Sequence, residues 1–265
     1  MLSPYTRRAR KTAKFRHIRR LAPKHPPGPE ARLRLEVSKL FGLFHRAIRR
    51  ELLSLATHHQ LKWEDKRGKQ GAMYAGLFSY GQSLTRREGF KSGIRSVASS
   101  TSKSVKGQVA KALGLSSVAV DLAEREAAFA EAVAASVEAR IAASLERADE
   151  LYEAWAAGED GVDVLEERLT TGLSTVEGSA LSSTAMLFGS AWAAMNQDTQ
   201  VAEGVESYIW ISQRDPFTRP AHAALDNTVD DWDDPPLKSD ASSNGEDCHP
   251  GDDFNCRCIA GPIPN

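Results

Sequence analysis

The eleven residues CHPGDDFNCRC, 248–258, hold every cysteine of the chain. Cys248, Cys256 and Cys258 stand there beside His249, and His222 lies upstream across an acidic stretch. Thiolates and imidazoles in such a cluster suit a metal clasp, a redox pair, a catalytic thiol or a set of small packed side chains. Zinc takes four N or S ligands in a tetrahedron, and His222, Cys248, His249, Cys256 and Cys258 are the candidate ligands. The C-x-C spacing argues against structural zinc, for which C-x-x-C is the commoner pattern. A catalytic thiol needs a depressed pKa, and the many nearby carboxylates would raise it. A Cys256–Cys258 disulfide would close a strained loop. One structural zinc and simple packing therefore stand as open alternatives. Asp226, Asp252 and Asp253 read as solvated loop charges or partner contacts.

The strand and helices that must position this cluster can be read upstream. The segment VESYIWIS, 205–212, alternates polar and apolar residues and is β-branched and aromatic, so it reads as a strand. Before it, Val176, Ala180, Leu181, Phe188, Ala191, Trp192 and Met195 form the inner face of a helix, and Ser174 with Glu177 has capping-box spacing at its start. A short helix is expected over Val164–Leu169. The clearest helix runs from about Val118 to Ala157, with Leu122, Phe129, Val133, Val137, Ile141, Leu145, Ala148, Tyr152 and Trp155 as its stripe and Gly158 as its stop. Another begins at Pro29 and buries Leu33, Val37, Leu40, Phe41, Phe44, Ile48, Leu52 and Leu55. Residues 60–117 are punctuated by Gly and Ser, and SVASSTSKSVKG reads as a flexible basic stretch. The expected fold class is mainly α, an elongated helical body with a small, loop-rich α+β module at the C-terminal end. The expected divisions are a basic arm (1–28), a basic helical or flexible region (29–117), a helical body (118–204) and an acidic module with the Cys/His cluster (205–265).

Charge is segregated along the chain. Residues 1–115 carry 26 Lys and Arg against 6 Asp and Glu, and residues 116–265 carry 8 against 29. The basic half suits a polyanion or an acidic protein surface, or else it folds against the acidic half. Its most concentrated part is the arm, with Arg7, Arg8, Arg10, Lys11, Lys14, Arg16, Arg19 and Arg20 and no acid before Glu30. No segment approaches 18 uninterrupted apolar residues, so no membrane partner is expected. The start lacks the apolar core of a secretory signal, and three cysteines make an odd set, so a reducing compartment is expected.

One ordered set of residues carries a family resemblance. A strand with Trp210 is followed by D-x-x-T-R-P-x-H-x-x-L-D-N, which is Asp215, Thr218, Arg219, Pro220, His222, Leu225, Asp226 and Asn227. An acidic loop then leads to H-P-G-D-D-x-N-C-R-C, with His249, Pro250, Gly251, Asp252, Asn255, Cys256, Arg257 and Cys258. This resembles the C-terminal signature of tailed-phage head-morphogenesis proteins, the Mu F-like minor head proteins. The resemblance covers roughly 105–260, most specifically from 205 onward. It implies a non-catalytic minor capsid protein or assembly factor beside the portal vertex or inside the head. The host cytoplasm would hold it during assembly and the virion head afterwards. It implies the portal protein and the major capsid protein as partners, with packaged DNA contacted nonspecifically through the basic half. The chain departs from the pattern in one respect, since many relatives place a C-x-x-C pair where Arg219 and His222 stand. Two other classes compete: a zinc-dependent nuclease or other phage-encoded enzyme or toxin, and a nonspecific DNA-binding protein. No H-E-x-x-H, phosphate loop or helix-turn-helix signature supports either.

Overall fold

The computed structural model describes residues 7–8, 18–59, 66–236, 247–253 and 256–264. In chain order these form β1 (Arg7–Arg8), α1 (Pro27–His59), α2 (Lys66–Arg86), α3 (Glu88–Leu113), α4 (Ala123–Ala156), α5 (Val162–Ala202), β2 (Ser207–Ile211), α6 (Pro220–Leu225), β3 (Thr228–Asp231) and β4 (Ile259–Pro262). The fold is mainly α with a small C-terminal α+β module, as the sequence implies. Among the described residues, no helix is long and apolar enough to cross a membrane.

The chain divides into two compact units. One consists of residues 31–97 and 130–185 and is wholly helical where it is ordered into elements. Its core is the apolar stripes themselves. Leu33, Val37, Phe41, Phe44, Ile48 and Leu52 of α1 are buried, as are Val133, Val137, Ile141, Ala148, Tyr152 and Trp155 of α4. Leu55 is half-buried and Ala56 takes the inner position beside it. His45 is a polar intrusion here. Ser144 Oγ donates to the Arg140 carbonyl (2.9 Å), so it accepts from His45 Nε2–H across 3.1 Å. Burial lowers the His45 pKa to about 4, which keeps the ring neutral. The turn after α4 is fastened by Trp155 Nε1–H donating to the Gly161 carbonyl (2.9 Å).

Two helical stretches differ from the sequence reading. The basic, serine-rich 96–107 segment is the middle of α3. Its buried face is Ile94, Val97, Ala98, Thr101, Ser102, Val105 and Val109, a helical stripe built largely of small residues. Its hydroxyls do not disrupt it, because Ser92 and Ser102 donate back to carbonyls three residues earlier, those of Gly89 and Ser99. The pair Ser174 and Glu177 does not start a helix either. It lies inside the 41-residue α5, where Ser174 Oγ donates to the Thr171 carbonyl and Glu177 accepts from Ser38 Oγ. The stripe Leu165, Leu169, Leu173, Ala180 runs through in register, so packing continues where the caps suggest a break.

The second unit, residues 1–30, 98–129 and 186–265, holds the sheet. Strand order is β1-β3-β2-β4, antiparallel throughout. In β2, Ile209 pairs with Gly261 of β4 and Val229 of β3, and Trp210 pairs with Ala260. The two-residue period of a strand divides its residues between two cores. Ile209 and Ile211 join Ile259, Trp192, Met195, Val105, Val109, Leu122 and Ile18. Tyr208 and Trp210 join Leu225, Ala260 and the three cysteines. Gly204, at φ +76°, ends α5, with Val205 N–H donating to the Gln200 carbonyl, and this turn aims the chain into β2. Two buried amides of α5, Asn196 and Gln200, donate to the Ala260 carbonyl of β4 (3.2 and 3.0 Å). Strand β4 was not apparent in the sequence, because IAGP is short and carries both Gly and Pro.

Candidate functional site

The signature residues build a frame of side chains that mostly bond to one another. Asp215 closes the turn before α6 by accepting from Phe217 N–H (3.0 Å) and Thr218 Oγ1–H (3.1 Å), and it pairs with Arg257 at 2.7 Å. Asp226 lies just after α6. It accepts from Ser212 N–H (2.8 Å), Arg214 Nε–H (2.7 Å) and Arg19 Nη1–H (3.1 Å). Asn227 sits at φ +65° beside it, its N–H on the Trp210 carbonyl. Gln213 Nε2–H donates to the Arg257 carbonyl (2.7 Å), tying the strand's exit to the Cys-Arg-Cys segment. Asp226 is therefore a half-buried hub, in contrast to the solvated loop charge read from sequence.

For Asp226, burial pushes the carboxyl upward, and the Ser212 amide with Arg214 and Arg19 outweighs it, so the pKa lies below the usual carboxylate value. A folded pKa below the unfolded one stabilises above the ordinary Asp range and loses that contribution as pH falls through the folded value. We expect Asp226→Ala to lower stability at neutral pH by about 2 kcal/mol, since one buried amide and two guanidinium groups lose their acceptor. Denaturation of both proteins, measured at neutral pH and again near pH 3, should show the difference shrinking in acid.

Within this frame α6 carries His222 inward, with Pro220 at its first turn. His222 Nδ1 lies 3.4 Å from Cys256 Sγ and 3.6 Å from Cys258 Sγ. These three ligand atoms fall within 4.8 Å of one another, and all three residues are buried. Behind the ring, Nε2 faces Asp253 Oδ2 at 3.2 Å, and Arg219 bonds the same oxygen. Trp210 packs edge-on against the imidazole, centroids 5.7 Å apart. The Cys258 amide N–H donates to Cys256 Sγ (3.4 Å). Hydrogen bonding from Cys258 and then from His222 lowers the Cys256 pKa against the upward push of burial. The same Cys256–Cys258 bond raises Cys258, and hydrogen bonding to Cys256 raises His222. Of the two thiols Cys256 is thus the more acidic, with Cys258 and His222 as its hydrogen-bond partners. Carboxylates do not raise this thiol as the composition suggested, because its nearest partners are donors.

The other two sequence candidates go elsewhere. Gly251, at φ +99°, turns the H-P-G-D-D segment, with Asp252 N–H on the His249 carbonyl and His249 N–H on Asp252 Oδ2. This puts His249 Nδ1 3.0 Å from the Tyr208 hydroxyl, with its ring against Tyr208 and Trp232. Burial lowers the His249 pKa, in keeping with a neutral structural role. Cys248 is buried in the apolar cluster with Tyr208 and Trp210 and is not one of the three grouped ligands. Pro250 is buried in the same turn. Asn255 lies outside the described residues. None of the three cysteines is in a disulfide. Asp253, read from sequence as a solvated loop charge or partner contact, stands behind His222 in the site; nothing distinguishes it among the ten acids from Asp226 to Asp253.

The order Cys256, His222, Asp253 has the connectivity of nucleophile, base and orienter. Its surroundings do not suit substrate. Cys256 is 8% exposed and His222 5%, and the adjoining cavity is about 30 Å³, room for a water or an ion. Of the basic arm, Arg19 is engaged with Asp226, Asn227 and the Ser212 carbonyl, and Arg20 is exposed. Arg7 and Arg8 pair with β3 as a strand, and Arg10, Lys11, Lys14 and Arg16 lie outside the described residues.

Comparison with known proteins agrees with this frame. A curated protein of Haemophilus influenzae (strain ATCC 51907 / DSM 11121 / KW20 / Rd), itself called an uncharacterized protein, is 34% identical over 71 residues. The match spans 27% of this chain and 14% of that relative's length. No solved structure matches the chain. The family model described as Phage Mu protein F like protein matches residues 101–260, from within α3 to β4. The chain belongs to the Mu F-like family of phage head-morphogenesis proteins.

Proposed function

We propose that this protein is a structural minor head protein that joins the portal vertex or the inner face of the capsid during head assembly. The observation that carries this reading is the convergence of the family's residues on a closed frame. Asp215, Thr218 and Arg257 bond to one another, as do Asp226 and Arg214, and the cavity beside them is only about 30 Å³. Polar residues used in this way hold a shape for a protein partner to recognise. The portal protein and the major capsid protein are the partners proposed. Exposed Lys91, Arg95, Lys103 and Lys111 on α3 supply charge that would meet an acidic subunit or packaged DNA. The protein would occupy the virion head after passing through the host cytoplasm.

The test is affinity capture of the tagged protein from cells producing the parent phage, with mass spectrometry of what is retained. Portal and major capsid subunits that survive high salt are the expected result. Recovery of nucleic acid alone, lost as salt rises, would overturn the reading in favour of a DNA-binding protein, because counterion release makes phosphate contacts steeply salt-dependent.

A further inference from the structure

We propose that His222 Nδ1, Cys256 Sγ and Cys258 Sγ bind one zinc ion, with water from the adjoining cavity in the fourth position. The proposal stands independently of the role in the head.

The distances fit before any ion is added. With Zn–S near 2.3 Å and Zn–N near 2.05 Å, a tetrahedral angle sets an N···S edge of about 3.6 Å. The two observed edges are 3.4 and 3.6 Å. The second shell also fits. A histidine that ligates a metal through one nitrogen commonly donates the other N–H to a carboxylate, which fixes tautomer and ring orientation. His222 Nε2 faces Asp253 Oδ2 at 3.2 Å, and Arg219 bonds that same oxygen. Trp210 fixes the ring plane. The Cys258 amide N–H directed at Cys256 Sγ is the donor a ligated thiolate accepts. The donor set selects the ion, since two thiolates and one imidazole favour a borderline-soft cation such as zinc over magnesium or calcium.

Binding is charge-balanced. Zinc enters as the dication, Cys256 and Cys258 bind as thiolates and His222 as a neutral imidazole through Nδ1. The protons these ligand atoms carry pass to solvent, and His222 keeps Nε2–H on Asp253. The ligands come from either side of the 237–246 segment, so the ion would tie α6 to the return strand β4. A loop-rich module with few apolar residues gains most from such a tie.

The experiment uses the full chain, purified under reducing conditions from zinc-supplemented cells. About one zinc per chain should survive gel filtration and be detected by atomic emission. Exchange with cobalt(II) should give thiolate-to-cobalt charge transfer in the near ultraviolet and the intense visible bands of four-coordination. Cys256→Ser with Cys258→Ser should lose both signals, and Cys248→Ala should keep them. Asp253→Asn should weaken affinity about 10- to 100-fold with the cobalt band positions unchanged, as expected of a positioning residue. Should the serine variant fail to fold, the wild-type cobalt spectrum decides alone. A folded wild-type chain that retains no zinc, gives no charge-transfer band and exposes its thiols to Ellman's reagent overturns the proposal. Full zinc retention by the double serine variant does so equally.

Discussion

Gly251→Ala is expected to lower the unfolding free energy by about 3 kcal/mol, from two separable causes. The first is backbone strain. Gly251 sits at φ +99°, a region that side chains with a Cβ rarely enter, at a cost on the order of 1–2 kcal/mol. The second is steric. A Cβ at 251 would overlap the Cβ of Ala193 on α5, and it would stand 3.9 Å from the Cys258 carbonyl. Ala193 is 5% exposed and lies in the same core as Trp192 and Ile259, so neither helix nor turn can yield cheaply. Overpacking of that kind costs about 1–3 kcal/mol. A double-mutant cycle with Ala193→Gly separates the two. Removing the opposing methyl should recover about 1–2 kcal/mol as coupling energy and leave the strain. Urea denaturation of the four proteins is the measurement. A Gly251→Ala midpoint equal to wild type would mean that the H-P-G-D-D turn does not pack on α5.

That turn also shows where sequence reading reached and where it stopped. Large apolar residues at helical spacing announced α1 and α4, because a stripe of Leu, Val, Ile and Phe has no use except burial. Helix α3 was missed because its buried face is alanine, serine and threonine at several positions, types equally at home in loops. Residue types alone made His222, Cys256 and Cys258 candidates, and tertiary geometry joined them. Cys248 and His249 became candidates through nearness in sequence, which Gly251 then defeats by reversing the chain. Charge told least. Arg19 looks like its basic neighbours, yet it is bonded to Asp226 some two hundred residues away. Composition records how much charge a segment holds and is silent on whether its partner lies inside the fold. The family signature is legible for the opposite reason, since Asp215, Thr218, Asp226 and Arg257 are fixed by specific bonds whose donors and acceptors few other residues can supply.

Trp192→Ala should be more damaging still, by about 3–5 kcal/mol, and its effect should reach the N-terminal segment. Trp192 is fully buried on α5. Its ring lies 4.3 Å from that of His25, and its core includes Ile18 and Ala22 from the N-terminal segment, Val105 and Val109 from α3, and Ile209, Ile211 and Ile259 from the sheet. The three stretches of chain that make up this unit, far apart in sequence, therefore meet around one indole. Truncation leaves a cavity that residues from all three would have to close. Trp192→Phe separates volume from polarity. Among the described residues the indole Nε1 has no hydrogen-bond partner, so phenylalanine loses packing without orphaning an acceptor, and a cost near 1 kcal/mol is expected. Hydrogen exchange provides the spatial readout. In Trp192→Ala, amides of β2 and of residues 18–22 should lose protection together. Loss in the sheet with residues 18–22 still protected would mean that the N-terminal segment is held by Arg19 and Asp226 without help from this core. Wild-type protection throughout would show that the indole is not its keystone.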